Sequence, residues 1–156
     1  MQINNYDAFF KERIMIKKKS TPANIRKIDE LNTAIAINDT ETIHELLIND
    51  IDLNCGDSHG AYPIMYAVEY GNANALISLL RRGANPNIVD KKYGYTPLMK
   101  ALSDKYIPNR YLIIVLLLKN GTDVNIISRT SKTALYLAKL NHPRYVNLLK
   151  MYGAEY

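Results

Sequence analysis

Histidine and cysteine are the residue types in this chain from which catalytic or metal-binding chemistry would be expected, and both are scarce. The three histidines are His44, His59 and His142, and no two of them have the H-x-x-x-H spacing that places two ligands on one helix face. Cys55 is the only cysteine, which excludes an internal disulfide and a site with several thiolates. The sequence also lacks a glycine-rich phosphate loop and a G-x-S-x-G nucleophile motif. We therefore predict a protein that is not an enzyme, with no catalytic residue, no metal and no cofactor.

The composition is typical of one folded domain. Of the 156 residues, 47% are apolar and 22% are charged. The net charge of +5 mildly favours acidic partners, but no dense basic stripe of the kind found in nucleic-acid-binding proteins accompanies it. The longest strongly apolar run, residues 112–118, is too short to span a membrane, and charged residues interrupt the start of the chain where a signal segment would be apolar. We expect no membrane contact and a cytoplasmic location, in the protein's own cell or in a host cell.

A helical unit recurs four times along the chain. Ala34, Ala67, Ala101 and Ala138 are 33, 34 and 37 residues apart, and each is followed by an apolar run and a Gly or Asp terminator. Three copies of the unit contain the stretches YPIMYA, TPLMKA and TALYLA, and the copies end in NDIDLN, RGANPN, NGTDVN and YGAEY. A unit of this size cannot bury its own apolar face, which predicts a stack of repeats.

These motifs resemble the ankyrin repeat, which has a period of about 33 residues and a T-P-L-H-x-A core. The resemblance covers residues 29–156 and implies an all-α fold, an ankyrin-type α-solenoid of helix-turn-helix repeats with short finger turns. We expect repeats at about 29–56, 57–89, 90–127 and 128–156, with atypical first and last copies. The family's histidine is absent, because Asn32, Met65, Met99 and Tyr136 stand in its place.

Residue types at the helix starts fit this interpretation. Pro63 and Pro97 are expected in the first turn of a helix, where their missing N–H removes no hydrogen bond. Thr96 and Thr133 can cap helices with their hydroxyls, whereas Tyr62 at the corresponding place cannot.

The third repeat departs from the pattern by about four extra residues within 103–111 and by a finger that is one residue longer. Pro108 is expected to break the first helix of this repeat and to start the second. The insertion should project at the end opposite the fingers, either as a tolerated loop or as a second contact surface.

Residues 1–28 are expected to form a basic, partly helical extension. Tyr6, Phe9, Phe10 and Ile14 have helical spacing, and three lysines follow at 17–19. This segment could cap the first repeat, dock onto a partner or be disordered. The pair at residues 21 and 22, Thr and Pro, predicts the start of a helix.

The resemblance implies that partners dock on the concave side, which the finger turns and first helices form. The positions that correspond to contact places are Ser58, His59, Glu69, Tyr70, Lys91, Lys92, Tyr93, Tyr95, Asp104, Arg129 and Lys132. The tyrosines are rigid anchors of the kind enriched at interface hot spots. The lysines and the arginine make the third and fourth fingers basic, which predicts a partner protein with an acidic patch.

We therefore predict a monomeric, non-catalytic protein-protein interaction module, an adaptor or an inhibitor. Frequent Ile, Asn, Lys and Tyr suggest an AT-rich genome, and hence a bacterial or viral host-interaction factor. One alternative is an immunity protein that neutralises a toxin or a defence enzyme. A scaffold role and nucleic-acid binding through the basic fingers are further alternatives, and the last is disfavoured.

Overall fold

The computed structural model describes residues 21–155 of the chain, and within this range the ordered elements are helices, with no β-strand. The α-helices are Pro22–Ile37 (α1), Thr40–Ile48 (α2), Pro63–Glu69 (α3), Ala73–Arg81 (α4), Pro97–Ser103 (α5), Arg110–Lys119 (α6), Ala134–Asn141 (α7) and Val146–Met151 (α8). A short 3-10 turn, Pro143–Tyr145, leads into α8. The all-α expectation is confirmed. The predicted helix around residues 6–14 and the lysines at 17–19 lie outside the described residues.

The helices form two layers. The inner row is α1, α3, α5 and α7, and each of these helices packs against the next one in the row. In the outer row α2 packs on α4 and α4 on α6, while every outer helix also contacts the inner helix of its own repeat. This arrangement confirms the ankyrin-type solenoid. None of the helices in residues 21–155 combines the length and the apolar character needed to cross a bilayer.

One continuous apolar core joins the two layers. Ala67, Ala101 and Ala138 are fully buried in the inner row, where a methyl side chain lets neighbouring helices approach closely. Leu79 and Leu117 are fully buried in the outer row. Removal of each such leucine from water contributes about 1.5–3 kcal/mol to the stability of the stack.

The residue that precedes each inner helix determines whether a side chain caps its start. The hydroxyls of Thr21, Thr96 and Thr133 each accept a hydrogen bond from the backbone N–H three residues later, at 3.2 Å. Tyr62 makes no side-chain cap at the start of α3. The caps expected at Thr96 and Thr133, the missing cap at Tyr62 and the helix start expected at residues 21 and 22 are therefore confirmed.

The boundary expected at residue 28 falls inside a helix. Thr21 caps the start of α1, which runs unbroken from Pro22 to Ile37, and Ile28 is fully buried in the core. Residues 22–28, which were expected to belong to the extension, are therefore part of the first helix of the stack.

The predicted role of Pro108 is wrong. Helix α5 ends at Ser103, five residues before this proline, and α6 begins at Arg110. Pro108 and Asn109 form a turn that lies against Gly71 in the preceding repeat, where Asn109 Nδ2 donates to the Gly71 carbonyl at 3.0 Å. A Cβ on Gly71 would lie 2.2 Å from the Pro108 carbonyl oxygen, so glycine is required at this close approach. The extra residues bridge to the neighbouring repeat through this turn.

A ladder of asparagine side chains ties each repeat to the next. Asn54, Asn87 and Asn125 each donate through Nδ2 to the carbonyl of the glycine that follows the next outer helix. Each Oδ1 accepts from the backbone N–H two residues after that glycine. The six distances lie between 2.7 and 3.2 Å. These three residues, the asparagine ladder, pair backbone groups of the loop that follows each next outer helix.

Removal of the central rung should weaken the stack. In Asn87→Ala, two hydrogen bonds between repeats are lost, and we expect the free energy of unfolding to fall by about 1–3 kcal/mol. Urea denaturation followed by circular dichroism measures this change. Asn147→Ala, an exposed position on α8, is the matched control and should change stability by less than about 0.5 kcal/mol. Equal effects of the two variants would contradict the role of the ladder.

Candidate functional site

Each finger is a turn closed by one side chain. In the second finger (residues 57–61), Asp57 Oδ1 accepts from the N–H groups of His59 at 2.9 Å and Ala61 at 2.8 Å. In the fourth finger (residues 128–132), Ser128 Oγ accepts from the N–H of Lys132 at 3.0 Å. The turn residues are therefore fixed by polar side chains at the base of each finger.

The third finger (residues 90–95) is closed in the same way around a longer turn. The Asp90 carboxylate accepts from the N–H of Tyr93 at 2.6 Å and from the N–H of Tyr95 at 3.0 Å. Its closing backbone bond joins Asp90 to Tyr95, whereas the corresponding bond of the second finger joins Asp57 to Ala61. The expectation of one extra residue in this finger is confirmed.

Asp29, Asp57 and His59 offer atoms within 4.8 Å of one another and are the described residues that could together hold a metal ion. Their carboxylates already have protein donors. Asp57 Oδ2 accepts from Asn32 Nδ2 at 3.0 Å, and Asp29 Oδ1 accepts from the N–H and the hydroxyl of Ser58 at 2.9 Å each. These bonds from Ser58 also lower the pKa of Asp29. The cluster is therefore arranged for closing the second finger and joining it to α1.

Neighbouring fingers brace one another. The Arg129 guanidinium donates through Nη1 to the Lys91 carbonyl, and the Arg129 N–H donates to the Tyr93 carbonyl at 3.0 Å. Arg129 also lies against Gly94, which has φ +69° and no side chain to obstruct it. In the same way, the Lys91 side chain lies over Gly60 of the second finger. Arg129, expected as a contact residue, thus holds the third finger in place.

A groove of about 480 Å³ runs between the second and third fingers and helices α3 and α5. We call it the finger groove. Seven of the eleven expected contact residues line it: His59, Glu69, Lys91, Lys92, Tyr93, Tyr95 and Asp104. The other lining residues are Gly60, Ala61, Tyr62, Met65, Asp90, Lys100 and Ser103. The fold therefore brings most of the expected site together from two adjacent repeats.

Four expected residues lie outside the finger groove. Ser58 is bound to Asp29, and Arg129 braces the third finger. Lys132 closes the fourth finger through its backbone. Tyr70, which directly follows α3, lines a separate cavity of about 470 Å³ beside the Pro108 turn. Tyr70 therefore lies at the opposite end of α3 from the fingers.

The two tyrosines of the third finger differ in exposure. Tyr95 is only 8% exposed and belongs to the core, so the expectation of an exposed anchor at this position is corrected. It lies beneath Tyr93, with 5.4 Å between ring centroids, and Tyr93 is 43% exposed. The Lys92 ammonium lies 4.7 Å from the Tyr93 ring centroid, a cation–π distance. A hydrogen bond that the Lys92 ammonium donates to the Tyr93 hydroxyl raises the pKa of Lys92 above its usual value, so this side chain is positively charged at neutral pH.

Helices α3 and α5 supply the other wall of the groove. Lys100 Nζ lies 3.7 Å from Glu69 Oε2 and 3.2 Å from Asp104 Oδ2. Lys100 was missed as a site residue. Its spacing of four from Asp104 was the signal that could have identified it, because residues four apart share one helix face.

Two side chains from later in the chain fix the end of α5. Arg110 Nη2 donates to the Asp104 carbonyl at 2.6 Å, and His142 Nε2 lies 3.1 Å from the same oxygen. Arg110 Nη1 lies 3.3 Å from His142 Nδ1. This geometry requires a neutral ring that donates from Nε2 and accepts at Nδ1. Burial lowers the pKa of His142, and the charges of Arg110 and Arg144 act in the same direction.

The comparisons with known proteins agree with this architecture. A family model of ankyrin repeats in three copies matches residues 31–128. The ankyrin repeat, SAM and basic leucine zipper domain-containing protein 1 of Dasypus novemcinctus is 33% identical over 131 residues, which is 83% of this chain and 27% of that protein. Its counterpart from Echinops telfairi is 34% identical over 122 residues, 77% of this chain and 25% of that protein. The ankyrin repeat protein nuc-2 of Neurospora crassa is 33% identical over 97 residues, 62% of this chain and 9% of that protein.

The fold is thus an ankyrin solenoid, and its surface site is a groove between fingers. With the match over residues 31–128, these features show that the chain belongs to the ankyrin-repeat family. Ankyrin repeats are protein-protein interaction modules and are generally non-catalytic. The chain spans about a quarter of the length of the first two relatives named above. Helices α7 and α8 add a fourth pair beyond the matched residues.

The contact between Arg129 and the third finger can be tested by replacing Gly94 with alanine. Gly94→Ala places a Cβ 3.0 Å from the Arg129 backbone nitrogen as well as forcing a positive φ on alanine. Gly83→Ala is the matched control, because Gly83 has φ +86° and nothing within 4 Å of an added Cβ. We expect Gly83→Ala to cost about 1–2 kcal/mol from backbone strain and Gly94→Ala to cost more. Chemical denaturation measures both, and a cost for Gly94→Ala at or below that of the control would contradict the close contact.

The His142 environment predicts a pH dependence of stability. Because the folded-state pKa is lowered from 6.5, the unfolded chain binds a proton at a higher pH than the folded one. The contribution of His142 to stability is therefore fully present above about pH 6.5 and is lost as the pH falls below that value towards the folded-state pKa. Denaturation at a series of pH values, compared with His142→Gln, should show a steeper decline for the wild-type chain. Parallel curves would contradict the neutral-ring arrangement.

Proposed function

We propose that the chain is a stoichiometric binding protein that holds one partner protein in the finger groove and acts as an adaptor or an inhibitor. The proposal is supported by the groove itself, in which exposed aromatic and charged side chains from two repeats meet on a braced backbone. Tyr93 and Lys92 are the exposed centre of this surface. A complex with one copy of the chain is sufficient, because the groove is complete within a single chain.

Preorganisation is the physical advantage of this site. The third finger is held by the Asp90 carboxylate and by Arg129 through the carbonyls of Lys91 and Tyr93. Because these bonds exist before a partner arrives, binding need not order the finger, and less conformational entropy opposes association. Tyr93 adds a large amphipathic ring with few rotatable bonds, the type of side chain that dominates interface energetics.

Occlusion of a partner by such a groove suits two biological roles. One is that of a bacterial or viral host-interaction factor in the cytoplasm of a host cell, which the AT-rich residue usage favours. The other is that of an immunity protein that blocks a toxin or a defence enzyme. Both roles need binding without chemistry, so both use the same surface.

Nucleic acid is a poorer ligand for this groove than protein is. Glu69 and Asp104 line it together with the lysines, and their carboxylates would repel a phosphate backbone. Binding driven by phosphates would also fall steeply with salt, which provides a discriminating measurement.

The proposal is tested by affinity capture from cells of the source organism with the immobilised wild-type chain and two immobilised variants. The groove variant combines Lys92→Glu and Tyr93→Ala, and the control is Lys119→Glu at the exposed end of α6. A partner retained by the wild type and the control is purified, and its dissociation constant is measured by calorimetry. We expect the groove variant to bind at least about tenfold more weakly, since a hot-spot residue is worth about 2 kcal/mol. Equal affinity of the groove variant and the wild type would overturn the proposal.

A further inference from the structure

The finger groove carries opposite charges on its two walls. Lys91 and Lys92 lie on the finger wall, while Glu69 and Asp104 lie on the helix wall, where Lys100 is placed between them. The groove therefore combines the basic third finger that the sequence predicts with an acidic wall formed by the helices.

The finger wall is positive because its acidic residue is turned inward. The Asp90 carboxylate accepts from the N–H groups of Tyr93 and Tyr95 and closes the turn. The Lys92 ammonium, in contrast, lies over the exposed Tyr93 ring, where it remains accessible to a ligand. An incoming carboxylate can therefore approach Lys92 from solvent.

The helix wall is negative because one ammonium faces two carboxylates. Lys100 Nζ lies 3.7 Å from Glu69 and 3.2 Å from Asp104, so the three groups together carry a net charge of −1. The side chains of Glu69 and Asp104 are 52% and 36% exposed. A carboxylate has more acceptor sites than one ammonium uses, which leaves lone pairs for a second cation.

Resting on the function proposed above, we propose that the finger groove binds a protein segment that presents an acidic and a basic side chain together. The acidic side chain faces Lys91 and Lys92, and the basic side chain faces Glu69 and Asp104. The Tyr93 ring lies beside Lys92 at the finger wall and packs against the apolar part of the segment.

This arrangement selects against segments of a single charge sign. A uniformly acidic segment would bring its second carboxylate towards Glu69 and Asp104, and a uniformly basic one would bring an ammonium towards Lys92. Like charges placed together in an interface are costly and suppress wrong partners. The groove thus distinguishes a mixed pair from either simple patch.

A random linear peptide library displayed on phage is the probe. The wild-type chain is the bait, and clones that also bind a Tyr93→Ala bait are removed, which leaves peptides that use the groove. Selected peptides are synthesised with a fluorophore, and dissociation constants are measured by fluorescence anisotropy against the wild type, Lys92→Glu, and the double variant Glu69→Gln with Asp104→Asn. Thermal denaturation checks that each variant is folded.

We expect the selected peptides to carry both charge signs. Lys92→Glu should weaken them about tenfold, and replacing the peptide's acidic residue with serine should remove that sensitivity. The double variant should weaken the same peptides by a similar factor, and replacing the peptide's basic residue should remove its effect.

Two other results would overturn the inference and are distinguishable. Groove-dependent peptides of one charge sign, insensitive to the double variant, would leave the proposed function intact and disprove the mixed pair. If every clone that binds the wild-type bait also binds the Tyr93→Ala bait, so that none remains after the removal step, the result would count against the groove as a binding site, and so against the proposed function too.

Discussion

A helix pair in this chain has apolar surface facing both of its neighbours and can cover neither side alone. Leu76 and Leu79 of α4 are fully buried because α2 and α6 lie on either side of their helix. The folded state of each repeat therefore depends on contacts with the repeats beside it. The asparagine ladder adds hydrogen bonds between the same neighbouring repeats. The whole stack is thus held together by contacts that each join adjacent repeats.

The same dependence reaches the surface that we propose for binding. The finger groove lies between the second and third repeats, yet Arg129 of the fourth repeat fixes the carbonyls of Lys91 and Tyr93. Two side chains from beyond α5, Arg110 and His142, fix the Asp104 carbonyl at the other wall. A repeat that contributes no lining residue therefore still determines the shape of the groove.

The fold was predictable because its signals are local and repeated. Alanine spacing and threonine caps depend only on residue type and separation. The buried alanines are found as expected in α3, α5 and α7, and threonine caps are found at the starts of α1, α5 and α7. The errors concern contacts between segments distant in sequence. Pro108 was expected to end a helix, but the end of α5 is set by Arg110 and His142 through space. Burial of Tyr95 likewise depends on which face of the finger meets the core, which residue type alone does not reveal.

The third finger is held in place mainly through its backbone, which leaves the exposed side chains of the finger groove free to carry a specific charge pattern. The third finger is held through backbone groups and the inward Asp90 carboxylate, so the fold does not require the side chain of Lys92. On the helix wall, Lys100 partly neutralises Glu69 and Asp104 in the free protein, which lowers the cost of keeping two carboxylates close together. Exposed ion pairs of this kind are worth at most about 1 kcal/mol each, so a ligand cation can compete with Lys100 for its partners. In the binding mode that we propose, this competition reduces the free energy gained by every ligand, so the groove would favour discrimination between partners over the tightest attainable binding.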